Sequence, residues 1–195
     1  MPEMTSDIII NDLVAMLGTK AVLHNDDDTA PFLSDWHSRY HGKAHAVALP
    51  ENTNQVSAVL AYADNHNIIV VPQGGNTGFM GGATPDTTGH TILLSLSRMN
   101  KIRQIDEQNM SMTVEAGCIL QTIQAKADDA GLYFPLNLAA KGSCTIGGNI
   151  STNAGGINVL PRYTCPSILT IYFCNRIGVL KLRTKNRISP IDSQI

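Results

Sequence analysis

Apolar residues recur at helical spacing near the start of the chain. Ile8, Ile9, Leu13, Val14 and Leu17 share one face of a helix over residues 7–18, which Gly18 ends. Residues 19–44 lose that periodicity and read as loop, with Asp26, Asp27 and Asp28 in a solvated turn. Residues 45–50, His-Ala-Val-Ala-Leu-Pro, make a short apolar strand that proline closes. Asn52 and Asn54 can each cap the next helix, whose stripe of Val56, Val59, Leu60 and Ala63 runs to about residue 66. The β-branched run 68–71, Ile-Ile-Val-Val, is a strand again, so this stretch reads as a βαβ unit. Further strands are predicted at residues 91–96, 102–105 and 111–115, the last broken by Gly117. Ile119, Ile123 and Ala127 then fall on one face of a helix that ends at Gly131. The pattern predicts an α+β fold that begins with a βαβ unit.

Composition narrows the class. A chain of 195 residues, 43% hydrophobic and 15% charged, can build a globular core and is not generally disordered. A net charge of −2 gives no reason to expect nucleic acid or an anionic membrane as partner. The amino terminus is acidic, and no apolar run approaches the roughly 18 residues of a spanning helix, so a cytoplasmic location is expected. Cys118, Cys144, Cys165 and Cys174 lack CxxC or zinc-like spacing and read as buried thiols. Charge is uneven along the chain: residues 1–163 carry 9 Lys+Arg against 15 Asp+Glu, and residues 164–195 carry 5 basic residues against Asp192 alone. This tail has room for a strand near 168–174 and a second near 178–182, and is expected to fray from Arg183 onward.

Two glycine-rich segments carry the candidate chemistry. The first follows the Ile-Ile-Val-Val strand as Pro72-Gln73-Gly74-Gly75-Asn76-Thr77-Gly78, with Gly81 and Gly82 beyond. The second is Gly142-Ser143-Cys144-Thr145-Ile146-Gly147-Gly148-Asn149, continuing to Thr152-Asn153-Ala154-Gly155-Gly156. The first is no P-loop, because no Lys-Ser or Lys-Thr follows its glycines, and no G-x-G-x-x-G occurs in the chain. It can instead curl main-chain N–H groups around an anion such as a pyrophosphate, with Asn76 and Thr77 as side-chain donors, or be a long turn. The second segment is small, polar and almost uncharged, which suits a flat heterocycle and a ribityl or ribose chain. Together they read as an uncharged cradle for a dinucleotide of unspecified identity.

Other candidates read as structural. His37, His41 and His45 are spaced i, i+4, i+8, but their surroundings read as loop and no carboxylate completes a metal site. His90 before a strand reads as a structural donor, Glu115 as a strand carboxylate and Cys144 as a small buried thiol.

Residues 71–78, with Pro135-Leu136-Asn137-Leu138, residues 140–149 and Thr152-Asn153-Ala154-Gly155-Gly156, resemble the FAD-binding domain of the FAD-linked oxidase family. This is the fold shared with p-cresol methylhydroxylase and vanillyl-alcohol oxidase. The Gln-Gly-Gly-Asn-Thr-Gly and Ala-Lys-Gly-Ser-Cys forms are most similar to D-2-hydroxyglutarate dehydrogenases and related D-lactate or glycolate dehydrogenases. The resemblance implies FAD as cofactor, its pyrophosphate on the first segment, its ribityl chain and isoalloxazine edge on the second. The matching positions are Pro72, Gln73, Gly74, Gly75, Asn76, Thr77, Gly78, Gly82, Pro135, Gly142, Ser143, Ile146, Gly147, Gly148, Thr152, Asn153 and Gly156. Several relatives hold FAD covalently through a first-loop histidine; Asn76 and Thr77 stand in that region of this chain, which implies noncovalent FAD.

The similarity runs from about Trp36 to Tyr163. It divides the chain into an N-terminal helix and loop (1–41), the FAD-binding domain, incomplete at its C-terminal side (42–163), and a divergent basic tail (164–195) that reads as a shifted frame or a fusion. The resemblance implies hydride passage from C2 of a D-2-hydroxy acid to flavin N5, but the substrate domain that supplies the acid–base groups is not recognised in this chain. No catalytic residue is assigned. Two other readings stand beside this one: a non-catalytic flavin- or nucleotide-binding subunit completed by another chain that binds the hydroxy acid, and an inactive remnant.

Overall fold

The computed structural model describes residues 5–156 in full and residues 171–172 and 179–183 by their backbone. Helix α1 (Ser6–Leu17) buries Ile9 and Leu13, and Gly18 ends it with φ of 88° while its N–H donates to the Val14 carbonyl. The loop expected over residues 19–44 holds more order than its sequence shows. It contains a 3-10 turn at Thr19–Ala21, strand β1 (Val22–Leu23), the short helix α2 (Asp26–Thr29) and a second 3-10 turn at Ala30–Phe32. The three aspartates form the first turn of α2, where their charge complements the helix N-terminus, so the expected turn is one turn of helix.

Strand β2 (Ala46–Ala48), helix α3 (Thr53–Asn65) and strand β3 (Ile69–Gln73) form the βαβ unit. Asn52 caps α3 by accepting the Gln55 N–H, while Gln55 accepts the Glu51 N–H at 2.7 Å. The two strands do not pair with each other. Strand β4 (Thr91–Ser95) lies between them, parallel to both, and β1 adds antiparallel to β2, giving the order β1-β2-β4-β3. Alternation along the strands divides this sheet's contacts. Ala46, Ala48, Ile92 and Leu94 pack with α1 and α3, while Val47 and Leu93 pack with Leu49, Phe32 and Leu33. Tyr62 of α3 donates to Asp12 of α1 at 2.8 Å, linking the two helices on that face.

The second sheet is antiparallel, in the order β5-β6-β8-β7. Strands β5 (Ile102–Asp106) and β6 (Ser111–Glu115) are its first pair, with an irregularity between Ile102 and Gln104. Arg103 at that irregularity reaches Glu115 at 2.8 Å, and Glu115 also accepts the Lys101 N–H, so this buried carboxylate is a strand anchor. The basic tail contributes β7 (Ile171–Tyr172) and β8 (Val179–Arg183), and β8 pairs with β6 from Ser111↔Arg183 to Glu115↔Val179. Cys165, Cys174, the boundary at residue 163 and the fraying expected after Arg183 lie outside the described residues. Helix α4 (Leu120–Asp129) places Leu120, Ile123 and Ala127 in a core with Met112, Val114, Cys144 and Ile146.

Candidate functional site

The first glycine segment leaves the carboxyl end of β3, beside the carboxyl end of β4, where Leu96 N donates to Gln73 O at 3.1 Å. The second glycine segment is brought to the same place by close backbone packing. A Cβ on Gly117 would overlap the Leu96 carbonyl, and one on Gly147 would crowd Ala116, so the turn after β6 is wedged between β4 and the second segment. An isolated bridge pairs Ile119 with Thr145, with Ile146 N donating to Cys118 O and Leu120 N to Cys144 O. The two segments then touch each other. A Cβ on Gly74 would fall on the Thr145 hydroxyl, and one on Gly75 would fall on the Ser143 carbonyl. Glycine is required at both positions by this contact.

The second segment, expected as loop, is partly helical: α5 (Ile146–Ser151) begins after Thr145. Gly147 and Gly148 are poor helix formers, but hydrogen bonds from Ile146 N and Gly147 N to Cys118 and Ala116 tie the first turn to the chain after β6. Thr145 occupies the N-cap position without capping the helix. Its buried hydroxyl makes no hydrogen bond, and the buried Asn149 Nδ2 has the Cys144 sulfur, not an oxygen, within reach. Asn149 lies near enough to Cys144 to favour its thiolate, yet burial dominates and pushes that thiol up. Buried polar atoms without partners are rare and costly, so the Thr145 hydroxyl, at the contact of the two loops, is a group left for a ligand to satisfy. Thr145 and Asn149 both lie within the second motif, whose hydroxyl and amide donors the sequence marks, but neither is among the positions that the family resemblance carries over.

The remaining expected site residues fall into three groups. Gly74, Gly75, Ser143 and Gly148 meet at the seam. Gly78 and Gly82 have open space where a Cβ would stand, and no backbone carbonyl among the described residues accepts the N–H groups of Gly74, Gly75, Asn76, Thr77 or Gly78. Asn76 has φ of 50°, and the donors of this main chain are left for other partners. Gly156 packs against Asn137, two residues after Pro135, and the Leu136 carbonyl between them accepts from Gln124 at 2.6 Å. Thr152 closes α5 by donating to the Gly148 carbonyl, Asn153 follows with φ of 49°, and Gly142 lies exposed beside Gln121.

Other side chains are engaged elsewhere. The Asn76 amide, expected to donate to the ligand, donates to the Ser34 carbonyl at 2.7 Å. Gln73 is buried and donates to the carbonyls of Phe32 and Ala83, both at 2.9 Å. Ile146 is fully buried in the α4 core, so only its backbone can face a ligand. His37 stacks on Phe79, His41 contacts the Ser38 carbonyl and His45 contacts Ser6, so the three histidines have separate surroundings. Free N–H donors on residues 74–78, open space beside Gly78 and Gly82, and the unpartnered Thr145 hydroxyl fit a dinucleotide whose phosphates meet main chain.

The fold is shared with solved structures. p-Cresol methylhydroxylase with substrate bound superposes with a TM-score of 0.63 at 24% identity, over 76% of this chain and 29% of that one. An alkyldihydroxyacetonephosphate synthase superposes with a TM-score of 0.70 at 16% identity, over 80% and 30% of the two chains. Residues 44–178 match the family described as FAD binding domain, a match that continues past Tyr163. The chain belongs to this FAD-binding domain family, and FAD is its cofactor. Within it, the chain is 43% identical over 148 residues to D-2-hydroxyglutarate dehydrogenase of Arabidopsis thaliana, covering 76% of this chain and 26% of that protein. It is 38% identical to the Bos taurus D-2-hydroxyglutarate dehydrogenase, covering 73% and 26%. The chain thus spans about a quarter of the length of these curated relatives.

Proposed function

We propose that this chain holds FAD noncovalently between its two glycine segments and is the cofactor-binding portion of a D-2-hydroxy-acid dehydrogenase. The observation that carries the reading is the seam itself, where Gly74 and Gly75 lie against Ser143 and Thr145 and the buried Thr145 hydroxyl lacks a partner. Free N–H groups of residues 74–78 would receive the pyrophosphate, and Thr145 and Asn149 would receive polar atoms of the flavin half. When bound, the flavin supplies the electron chemistry, accepting hydride from the substrate carbon. The chain's own residues bind and orient; none of the described residues is placed as an acid or base toward a hydroxy acid.

Similarity to relatives named for D-2-hydroxyglutarate supports a D-2-hydroxy acid as the substrate class. We place the groups that grip and deprotonate it outside residues 1–195. The test is direct. Purified chain should carry flavin absorbance, and denaturation should release the flavin as free FAD; flavin retained on the denatured chain would overturn noncovalent attachment. Adding D-2-hydroxyglutarate, D-lactate or glycolate anaerobically should leave the absorbance unchanged. Rapid bleaching would show that the chain holds a catalytic apparatus of its own. Among the described residues no helix is long and apolar enough to cross a membrane. The compartment is a separate question, because the plant and bovine relatives are named mitochondrial; microscopy of the tagged chain decides it.

A further inference from the structure

We propose that Asp35 is a positioning residue for the cofactor loop: its carboxylate folds residues 32–42 into a strap, and the strap sets the shape of residues 73–83. The proposal rests on the FAD reading only for the consequence in binding; the strap itself is a matter of geometry. Asp35 is buried, and its carboxylate accepts the N–H groups of Arg39 at 2.6 Å, Tyr40 at 2.7 Å and His37 at 3.2 Å. Those bonds close a tight turn with Ser38 at φ of 54°, backed by Asp35 N to Tyr40 O and Gly42 N to Leu33 O. The Tyr40 N–H first, with those of His37 and Arg39, holds the Asp35 carboxyl below its usual range, so it stays an acceptor further into acid than an ordinary carboxylate. Phe32 and Leu33 fasten the base of the strap to Val47 and Leu93 of the first sheet.

From this frame the outward contacts converge on one segment. Phe32 O and Ser34 O receive the amides of Gln73 and Asn76. Arg39 donates to the Phe79 carbonyl at 2.7 Å, His37 stacks on the Phe79 ring with centroids 5.1 Å apart, and the Tyr40 ring lies against Gly81. Residues 74–83 have little structure of their own to oppose this. Their glycines are permissive, Phe79 and Met80 are exposed, and the backbone bond within reach is Thr84 N to Gly81 O. The free N–H row that faces the cofactor therefore keeps its curvature because the strap holds its outer side. Pre-organisation of this kind acts on affinity without touching the ligand.

The experiment compares wild type with Asp35→Asn and with Arg39→Met, an exposed strap residue whose loss does not threaten the fold. Hydrogen exchange of the FAD-free chain and FAD affinity by flavin fluorescence are measured on each. Asp35→Asn should speed exchange at residues 74–83, leave α4 and β6 as protected as in wild type, and weaken FAD by on the order of tenfold or more. Arg39→Met should produce a smaller change in the same segment. Unchanged exchange at 74–83 in both variants would overturn the proposal, as would faster exchange spread evenly over the whole chain. If wild type itself binds no FAD, the FAD reading fails while the exchange comparison still decides the strap.

Discussion

Among single residues, Thr145 bears most directly on the site. Its hydroxyl is buried, unpartnered and close to Gly74, so in the FAD-free chain it costs stability, and on the proposed site it would gain a hydrogen bond from bound FAD. Thr145→Val should therefore leave the thermal midpoint of the FAD-free protein unchanged or raised, and should weaken FAD by about 1 kcal/mol. Equal affinities in a fluorescence titration would remove Thr145 from the site. Cys118 gives a second residue-level outcome. Burial is the main cause pushing its thiol up to about 11, with Glu115 both opposing through its backbone and adding through its charge. The thiolate forms only as pH rises toward that value, so alkylation of native protein near pH 8 should spare Cys118 and Cys144 and reach both after denaturation. Mass spectrometry of the labelled peptides reads this out, and fast native labelling would contradict the burial.

Between elements, the contact of the two glycine segments makes opposite demands on neighbouring glycines. Gly75→Ala must displace the Ser143 carbonyl and should destabilise by about 1–3 kcal/mol, with FAD binding lost alongside. Gly82→Ala meets nothing and should leave the unfolding midpoint in place. Equal midpoints for the two variants would show that the segments do not pack. At this scale the sequence is readable where periodicity is local: residues 111–115 match β6, and Ile9, Leu13, Val56, Val59 and Ala63 of the predicted stripes are buried, with Val14, Leu17 and Leu60 partly so, while Ile8 stands exposed. It is unreadable where order comes from distant partners. The strap has no apolar period, and its organiser is a single aspartate bonded to neighbouring N–H groups. Helix α5 contains Gly147-Gly148, which local propensity argues against, and exists because Cys118 and Ala116 accept its first N–H groups. The insertion of β4 between β2 and β3 is likewise invisible in the sequence, since strand order is a long-range property.

For the whole molecule, the site is legible in the sequence as two motifs and illegible as a contact. Glycine composition marks residues 74–82 and 142–156 but does not show that Gly75 lies on Ser143, or that Asn76 turns away to Ser34. The fold sets the first by wedging the turn at Gly117, which follows the second sheet's β6, against the end of β4 in the first, and the second through the strap, whose Ser34 carbonyl accepts the Asn76 amide. On the proposed site, one FAD molecule is held by both glycine segments at once. Hydrogen–deuterium exchange of the purified chain, with and without saturating FAD, tests that most directly. FAD should slow exchange in residues 74–82 and in residues 142–156 together; bound FAD that protects only one of these segments, or neither, would contradict the account.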